Sequence, residues 1–296
     1  MRKLCCSALG LLLCLPSPAL AWGHLGHEYI TSKAIELLPV EIKPFFVRHR
    51  DELVMRANDP DEWRLIFDEE APNHQINLGV DDYGPYPFNA LPREHGAALE
   101  KFGAVTLRRY GLLPWRTTEE FGNLRRTIQG LGRNQLYADD NTVWFAAALA
   151  HYIQDATQPF HAHYHYDGQL TGQSGIHSRF ESELIERFQS RLMLTPPPIE
   201  PVVDANTFIW GIVLDSHQLV PKILEADKTG IAGRDAYDDA YFEKFFANVR
   251  PVLERQLSRA VSATASAIVG AWQQAGRPVL RPERMPRAIQ RVRQPK

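Results

Sequence analysis

The chain has 296 residues, of which 44% are hydrophobic and 23% charged, and its formal net charge at pH 7 is −2. This length is enough for one large folded domain, and the charge provides no general attraction for duplex nucleic acid. All three cysteines lie within the first 21 residues, at Cys5, Cys6 and Cys14. The rest of the chain must therefore be stabilised by its core or by bound metal, without disulfides.

The first 21 residues have the pattern of a secretory signal peptide. Arg2 and Lys3 precede an apolar run that is too short to span a bilayer, and the segment PSPALA follows with alanines in cleavage-site spacing. Cleavage after residue 21 would make Trp22 the new N-terminus of a secreted or periplasmic protein. A retained anchor and a lipoprotein are the alternatives, but no small residue stands before Cys14 and no later apolar run reaches about 18 residues.

Helical periodicity of apolar residues dominates the remainder of the chain, and no region has a strand-like pattern. In chain order the periodicity predicts helices over residues 25–38, 41–57, 93–111, 121–133, 141–159 and 177–194, and then over the regions 206–226, 235–249 and 252–275. Pro39, Gly111 and Pro159 are typical helix terminators. The connections 81–94 and 161–175 are long, polar and rich in Gly and Pro, which is typical of functional loops. We therefore predict a single compact all-α domain over residues 22–276.

Residues 277–296 form a region of different composition. They include seven basic residues, four prolines and one Glu. This composition is typical of a disordered basic tail, and the alternative is a segment that contacts anionic lipid or nucleic acid.

Five candidate metal ligands are concentrated between residues 151 and 181. His151 and Asp155 are four residues apart on a strongly apolar helix, so they share one face, where a buried carboxylate needs a partner. His177 and Glu181 repeat this spacing on the next helix, and His161 lies in the connection. One such pair is more often a hydrogen bond on a helix surface, but two pairs in one short stretch favour metal binding. Imidazoles with carboxylates are the ligands expected for zinc in a protein without thiols.

Two further histidines, His163 and His165, alternate with other residues in the polar segment HAHYHY. This pattern predicts that they are solvated, or that they support the site without binding metal.

The segment HYIQDATQPFH, followed by His-x3-Glu, resembles the three-zinc phospholipases C and the related single-strand-specific zinc nucleases. Both groups carry His-x3-Asp-x2-Gln-Pro-x-His, which spans residues 151–161 here. Both also begin the mature chain on Trp, whose amino nitrogen and carbonyl oxygen bind zinc. The run WGxxGH is similar to the nuclease branch, and it implies that Trp22 and His27 are ligands while His24 is not. The resemblance covers roughly residues 22–188.

The resemblance also implies the two ligands that precede α-helical residues 151–155 in the chain. His74 in NHQINL matches the histidine of the family's next motif. Asp61 fits the family's Asp-x-x-Arg pattern, in which Arg64 would hold a carboxylate in place. Asp59 is the alternative carboxylate, although it also fits a cap before Pro60.

Three zinc ions in one cleft are what this resemblance implies. The first would bind Asp61, His74, His151 and Asp155, the second His161, His177 and Glu181, and the third Trp22, His27 and the shared Asp155. Two zinc ions that share a carboxylate can activate a water near neutral pH for in-line attack on phosphorus, and Asp61 would orient or deprotonate that water. The implied activity is zinc-dependent hydrolysis of phosphodiesters.

The identity of the phosphodiester is left open between two branches. Glu181 is typical of the phospholipases, whereas the nucleases usually have Asp there and also place a base-stacking Phe where this chain has Gln75. These differences favour a phospholipase C-like enzyme, whereas the WGxxGH start favours a single-strand-specific nuclease or nucleotidase. A third alternative is a non-catalytic helical protein whose zinc ions only replace disulfides. We also expect a monomer, and no Gly-rich loop indicates a nucleotide cofactor.

Overall fold

The computed structural model describes residues 22–281. The predicted signal peptide and residues 282–296 of the predicted tail therefore lie outside the described residues. The α-helices are α1 (Gly23–Leu37), α2 (Lys43–Arg48), α3 (Arg50–Arg56), α4 (Asp59–Trp63), α5 (His95–Tyr110), α6 (Leu113–Gly132), α7 (Ala138–Thr157), α8 (Ile176–Ser178), α9 (Leu184–Phe188), α10 (Ala205–His217), α11 (Val220–Ile231) and α12 (Asp239–Gln274). Within 22–281 there is no β-strand, and the helices form a single compact domain, so the prediction of an all-α fold is confirmed.

Helix boundaries differ from the sequence prediction at several places. The predicted helix 121–133 begins earlier, because α6 starts at Leu113, and the predicted helix 177–194 divides into α8, a π-helical turn and α9. The predicted helix 93–111 contains one non-helical residue, Gly103, with φ +75° and ψ 156°.

The predicted helix 41–57 divides at His49, whose φ of −102° and ψ of 15° redirect the chain between α2 and α3. The region 206–226 divides into α10 and α11, because Pro221 lacks the main-chain N–H that a continuous helix would need there. The regions 235–249 and 252–275 instead form the single helix α12, which continues through Pro251.

Burial explains why α12 tolerates a proline that usually ends a helix. An interior proline costs about 3 kcal/mol through its missing hydrogen bond and its steric clash. Beyond Pro251 the inward face of α12 carries Leu253, Leu257 and Val261, all fully buried. Each buried aliphatic side chain contributes about 1.5–3 kcal/mol, so packing outweighs the local penalty.

The helix α7 lies at the centre of the domain and determines where the polar site forms. It packs against α3, α6, α10 and α12. Every residue from Ala146 to Thr157 is buried, as expected for a helix that is apolar on nearly all sides. The few polar residues of its C-terminal half, including His151 and Asp155, are thereby placed inside the protein.

A glycine at the end of α5 positions the segment that follows α4. Gly111 has φ +106°, and a Cβ built on it would lie 2.0 Å from the carbonyl oxygen of Gln75. The main chain at this point is held by hydrogen bonds from Asn77 N to Tyr110 O (2.6 Å) and from Leu113 N to Gln75 O (3.2 Å). Only glycine allows this close approach and this conformation without strain.

The chain continues to pack against the domain just after α12. Trp272 Nε1 donates a hydrogen bond to Pro278 O over 2.9 Å, and Leu280 is buried. Among residues 22–281, no helix has both the length and the apolar character required to cross a bilayer.

Candidate metal centre

Three clusters of buried histidines and carboxylates lie around the C-terminal half of α7. In each cluster the possible ligand atoms all lie within 4.8 Å of one another. The clusters are His27–His151–Asp155, Asp61–His74–His151 and His161–His177–Glu181. Together they contain every side chain that the sequence analysis predicted as a metal ligand.

The four side chains predicted for the first ion converge on a small volume. His74 Nδ1 lies 3.0 Å from His151 Nε2, 3.0 Å from Asp155 Oδ2 and 3.7 Å from Asp61 Oδ1. Ligand atoms bound about 2.0–2.1 Å from one tetrahedral zinc ion lie about 3.3 Å apart. The three separations from His74 Nδ1 are close to that value, and the ligand atoms of Asp61, His74 and His151 all lie within 4.8 Å of one another. The other oxygen of Asp155, Oδ1, lies 3.6 Å from His27 Nε2, so this carboxylate faces two neighbouring clusters.

Hydrogen bonds orient the imidazole rings so that one nitrogen of each ring faces its cluster. They are His27 Nδ1 to Gln154 Oε1 (2.7 Å), His151 Nδ1 to Ala57 O (2.8 Å), and His177 Nδ1 to Tyr166 O (2.9 Å). A proton on Nδ1 donates to the oxygen and leaves the lone pair of Nε2 directed into the cluster. Metal-binding histidines characteristically use their second nitrogen in this way, which raises the basicity of the ring and fixes its tautomer.

The cluster of His161, His177 and Glu181, predicted for the second ion, is built around one oxygen of Glu181. Its Oε2 lies 2.9 Å from His177 Nε2 and 3.8 Å from His161 Nε2, and Gln158 Nε2 donates to it over 2.6 Å. Glu181 belongs to a π-helical segment, Arg179–Glu183, between α8 and α9. Such widened turns occur frequently at functional sites, because they redirect single side chains.

The main chain of Trp22 also reaches this region. The indole is fully buried and its Nε1 donates to Gln154 O over 2.7 Å, which holds the residue against α7. The main-chain nitrogen, predicted to join His27 and Asp155, donates a hydrogen bond to Glu181 Oε2 over 3.3 Å. The structure thus places this nitrogen beside the cluster of His161, His177 and Glu181, and the buried indole holds it there.

Burial changes the ionisation of the clustered side chains in the metal-free protein. It raises the pKa of Asp61 to about 7 and that of Asp155 well above its ordinary value. It lowers the pKa of His74, His151 and His161. Both changes favour neutral forms, because a charge inside the protein loses its hydration. A bound cation would reverse this effect for the carboxylates and would also favour the neutral, metal-binding form of the imidazoles.

Several polar atoms in the clusters lack hydrogen-bond partners within the described part of the chain. They include both carboxylate oxygens of Asp61, Asp155 Oδ1, His161 Nε2 and Glu181 Oε1. Buried polar atoms are nearly always paired, and each unpaired one costs about 1–3 kcal/mol. Cations coordinated by these atoms would remove that cost, so the residues present fit bound metal ions.

The structure distinguishes between the two candidate carboxylates of α4. Asp61 is fully buried in the cluster, and Arg64 Nε lies 3.4 Å from its Oδ1, in the role that the Asp-x-x-Arg pattern implied. Asp59 Oδ2 instead forms an ion pair with Arg56 Nη1 at 3.1 Å. Asp61 is therefore the one positioned to bind metal.

The remaining histidines of the sequence analysis lie outside the clusters. His24 is exposed and lies 3.3 Å from Glu62 Oε1, as expected for a histidine that binds no metal. Of the two alternatives predicted for His163 and His165, solvation does not hold for His165, which is 5% exposed and belongs to none of the three clusters. His163 stacks on His217 with ring centroids 4.3 Å apart, and burial lowers the pKa of His163 to about 3.

Sequence reasoning missed the buried side chains that support the ligands. Gln154 orients His27, and Glu70 lies 3.6 Å from His74 Nε2 while it accepts a hydrogen bond from the hydroxyl of Tyr152. Gln154 stands next to Asp155 in a buried stretch of α7, and a further polar residue at that position was a usable indication of a buried partner. Glu70 lies in an acidic, irregular segment and had no comparable indication.

Comparisons with known proteins add no family assignment. No model of a known protein family matches the chain, and none of the curated proteins matches it. The geometry by itself supports metal binding, because the buried groups of His, Asp and Glu could hold metal ions.

Proposed function

We propose that the protein is a zinc-dependent phosphoric ester hydrolase with phospholipase C-like activity. The observation that carries the proposal is the adjacency of the three clusters, in which His151 belongs to two clusters and Asp155 faces both. Imidazole nitrogens with carboxylate oxygens, in a chain without thiols after residue 14, form a ligand set suited to zinc. Adjacent ions that share ligands are the arrangement used to hydrolyse phosphate esters.

Zinc, when bound, supplies Lewis acidity toward phosphate oxygens and makes a water more acidic. The protein contributes the positions of the surrounding groups. Asp61 is aligned by Arg64 and directs its oxygens into the cluster, so it can orient an attacking water and accept its proton. The depth of the ligands keeps these groups in fixed directions, which lowers the cost of reorganisation during the reaction.

The position after His74 supports a phospholipid rather than a single-stranded nucleic acid as substrate. Gln75 occupies it, and an amide provides no ring on which a base could stack, an interaction worth about 1–3 kcal/mol per base. Glu181, which clusters with His161 and His177, is likewise typical of the phospholipases C that the chain resembles.

The test is a paired assay on protein that begins at Trp22, with zinc per chain measured by mass spectrometry. Phosphatidylcholine dispersions and single-stranded DNA and RNA are assayed side by side. We expect release of phosphorylated head group, with a roughly 10²–10⁴-fold loss in Asp61→Asn. Asp59→Asn is the matched control on the same helix and should remain near wild type, because Asp59 pairs with Arg56 away from the cluster.

Two outcomes would contradict the proposal. Release of nucleotides alone would assign the nuclease branch. Full zinc occupancy without hydrolysis of any of these substrates would mean that the metal only stabilises the fold.

A further inference from the structure

An exposed apolar loop connects two of the candidate metal ligands. Asp61 and His74 lie in the same buried cluster, and the main chain between them runs to the surface and returns. At its outer end Leu65, Ile66 and Phe67 are 60%, 72% and 55% exposed. Single exposed apolar residues are common on protein surfaces, but a run of three large ones at a site is characteristic of a binding surface.

The loop is held in this conformation by its own main chain. Ile66 N and Phe67 N both donate to Trp63 O, over 2.9 and 2.8 Å, and Glu70 N donates to Phe67 O over 2.9 Å. Both ends of the connection are fixed by buried residues of the cluster, and the exposed side chains lie only four to seven residues along the chain from a candidate ligand. We call residues 65–67 the apolar loop.

Two tryptophans extend the apolar loop toward α7. The ring of Trp63 lies against that of Trp144, with centroids 5.1 Å apart, and Trp144 remains 37% exposed. Trp144 precedes His151 by seven residues, which is two helical turns, so both lie on the same side of α7. Partly exposed indole rings are favoured where apolar and aqueous phases meet.

The charges around the apolar loop are predominantly negative. Glu62, Asp68 and Glu69 are exposed on either side of it, whereas the nearby Arg64 is directed to buried Asp61. An acidic rim repels the phosphate backbone of a nucleic acid and the head groups of anionic lipids. It is complementary to the quaternary ammonium groups that form the outer layer of a phosphatidylcholine surface.

We propose that the apolar loop, flanked by Trp63 and Trp144, inserts into the surface of zwitterionic phospholipid and holds the metal clusters at the lipid–water interface. The inference rests on the proposed function, because it assigns to the same site a substrate that is presented in an aggregate. The apolar side chains provide the insertion and the carboxylates select the head group.

The test measures binding of the zinc-loaded protein to vesicles by sedimentation. The lipid is a phosphonate analogue of phosphatidylcholine, with a methylene group in place of the scissile ester oxygen, so binding is measured without hydrolysis. We expect the triple variant Leu65→Ser, Ile66→Ser and Phe67→Ser to lower the partition coefficient by roughly 30-fold. The matched control is Val40→Ser, Val105→Ser and Val203→Ser, which changes three apolar residues elsewhere that are even more exposed, at 80%, 83% and 88%, and should stay within about twofold of wild type.

The folded state is checked by zinc content and by thermal unfolding, and the single variant Ile66→Asp replaces the triple variant if the latter does not fold. Equal binding of wild type and loop variant would overturn the inference. Stronger binding of the wild type to phosphatidylglycerol vesicles than to the phosphatidylcholine analogue would overturn it as well, because the acidic rim excludes that preference.

A second assay separates this inference from the proposed function. Short-chain phosphatidylcholine below its critical micelle concentration presents no surface, so its hydrolysis by the wild type reports on the metal centre alone. Hydrolysis of this monomer without loop-dependent vesicle binding would overturn the inference and support the function. Loop-dependent binding without any hydrolysis would support the apolar loop as a lipid-binding surface and would overturn the proposed function.

Discussion

The helix α7 and the segment 58–76 contribute candidate ligands to the same cluster by different structural means. In α7, His151 and Asp155 are one helical turn apart, and their direction follows from a regular helix buried on nearly all sides. In the segment 58–76, Asp61 and His74 are brought together by a short helix, a series of turns and hydrogen bonds to the end of α5. The site therefore has a rigid half, formed by α7, and an irregular half, formed by the segment 58–76, whose position depends on many weak contacts.

The largest effect is expected at the junction of these halves. Replacement of Asp155 by Ala removes the carboxylate that faces two clusters, so we expect the loss of at least one zinc ion per chain and a roughly 10³-fold or greater loss of activity. Zinc content and turnover measure the result. Asn141→Ala, at an exposed position of the same helix, serves as control. Unchanged zinc content in Asp155→Ala would show that the clusters are not joined through this residue.

Metal removal should affect the two halves of the site differently. Ligand present at about 1,000 times its dissociation constant stabilises the native state by about 4.1 kcal/mol, which corresponds to roughly 8–16 °C in Tm for a domain of this size class. We expect chelation to lower Tm by about this amount. Amide hydrogen exchange should increase first in the segment 58–76 while α7 stays protected.

The matched control for chelation is re-addition of zinc or of magnesium. Zinc should restore both Tm and protection, whereas magnesium prefers oxygen ligands and should not. Uniform loss of protection throughout α7 on chelation would contradict the distinction between the two halves.

A substitution remote from the ligands should act only on the irregular half. Gly111→Ala places a Cβ 2.0 Å from Gln75 O at a residue with φ +106°, so the segment that carries His74 must shift. We expect destabilisation of about 2–3 kcal/mol together with weaker zinc binding. Gly122→Ala in α6 meets only the end of the Arg126 side chain at 3.5 Å, and it should be neutral or stabilising by up to about 1 kcal/mol. Denaturant unfolding compares the two variants, and equal stability of both would remove the proposed role of Gly111.

The smallest effect is expected within the rigid half, at a residue that supports a ligand. Gln154→Leu removes the hydrogen-bond acceptor of His27 Nδ1 and should weaken zinc binding by about 10–100-fold. Thr31→Val removes only the more distant bond, from Gln154 Nε2 to Thr31 Oγ1 at 2.8 Å, and should have a smaller effect. Competition with a zinc chelator of known affinity measures both, and a larger effect of Thr31→Val would contradict this order.

The helical part of the site could be predicted from the sequence more directly than the irregular part. The i,i+4 spacing of His151 with Asp155 and of His177 with Glu181 predicted directly which side chains lie together, because helical geometry converts spacing into a shared face. The spacing of Asp61 and His74 carries no such geometric meaning, and only the resemblance to a known family selected them. Neither source indicated Glu70, because its position depends on the turns between those two ligands.

The fold shows the same limit. Apolar periodicity predicted the all-α class and the approximate extent of α1, α5 and α7. It failed at Pro251, where long-range packing of α12 outweighs the local effect of proline, and at His49, where the chain turns without a proline or glycine. Both failures arise from tertiary contacts that a local pattern does not contain.

The most direct test of the central claim is a crystal structure of the chain that begins at Trp22, with anomalous scattering measured at the zinc edge. We expect three peaks, one at each cluster, each about 2.0–2.2 Å from its histidine nitrogens and carboxylate oxygens. Zinc-loaded crystals with no peak at the clusters, or with peaks only at surface residues, would contradict it.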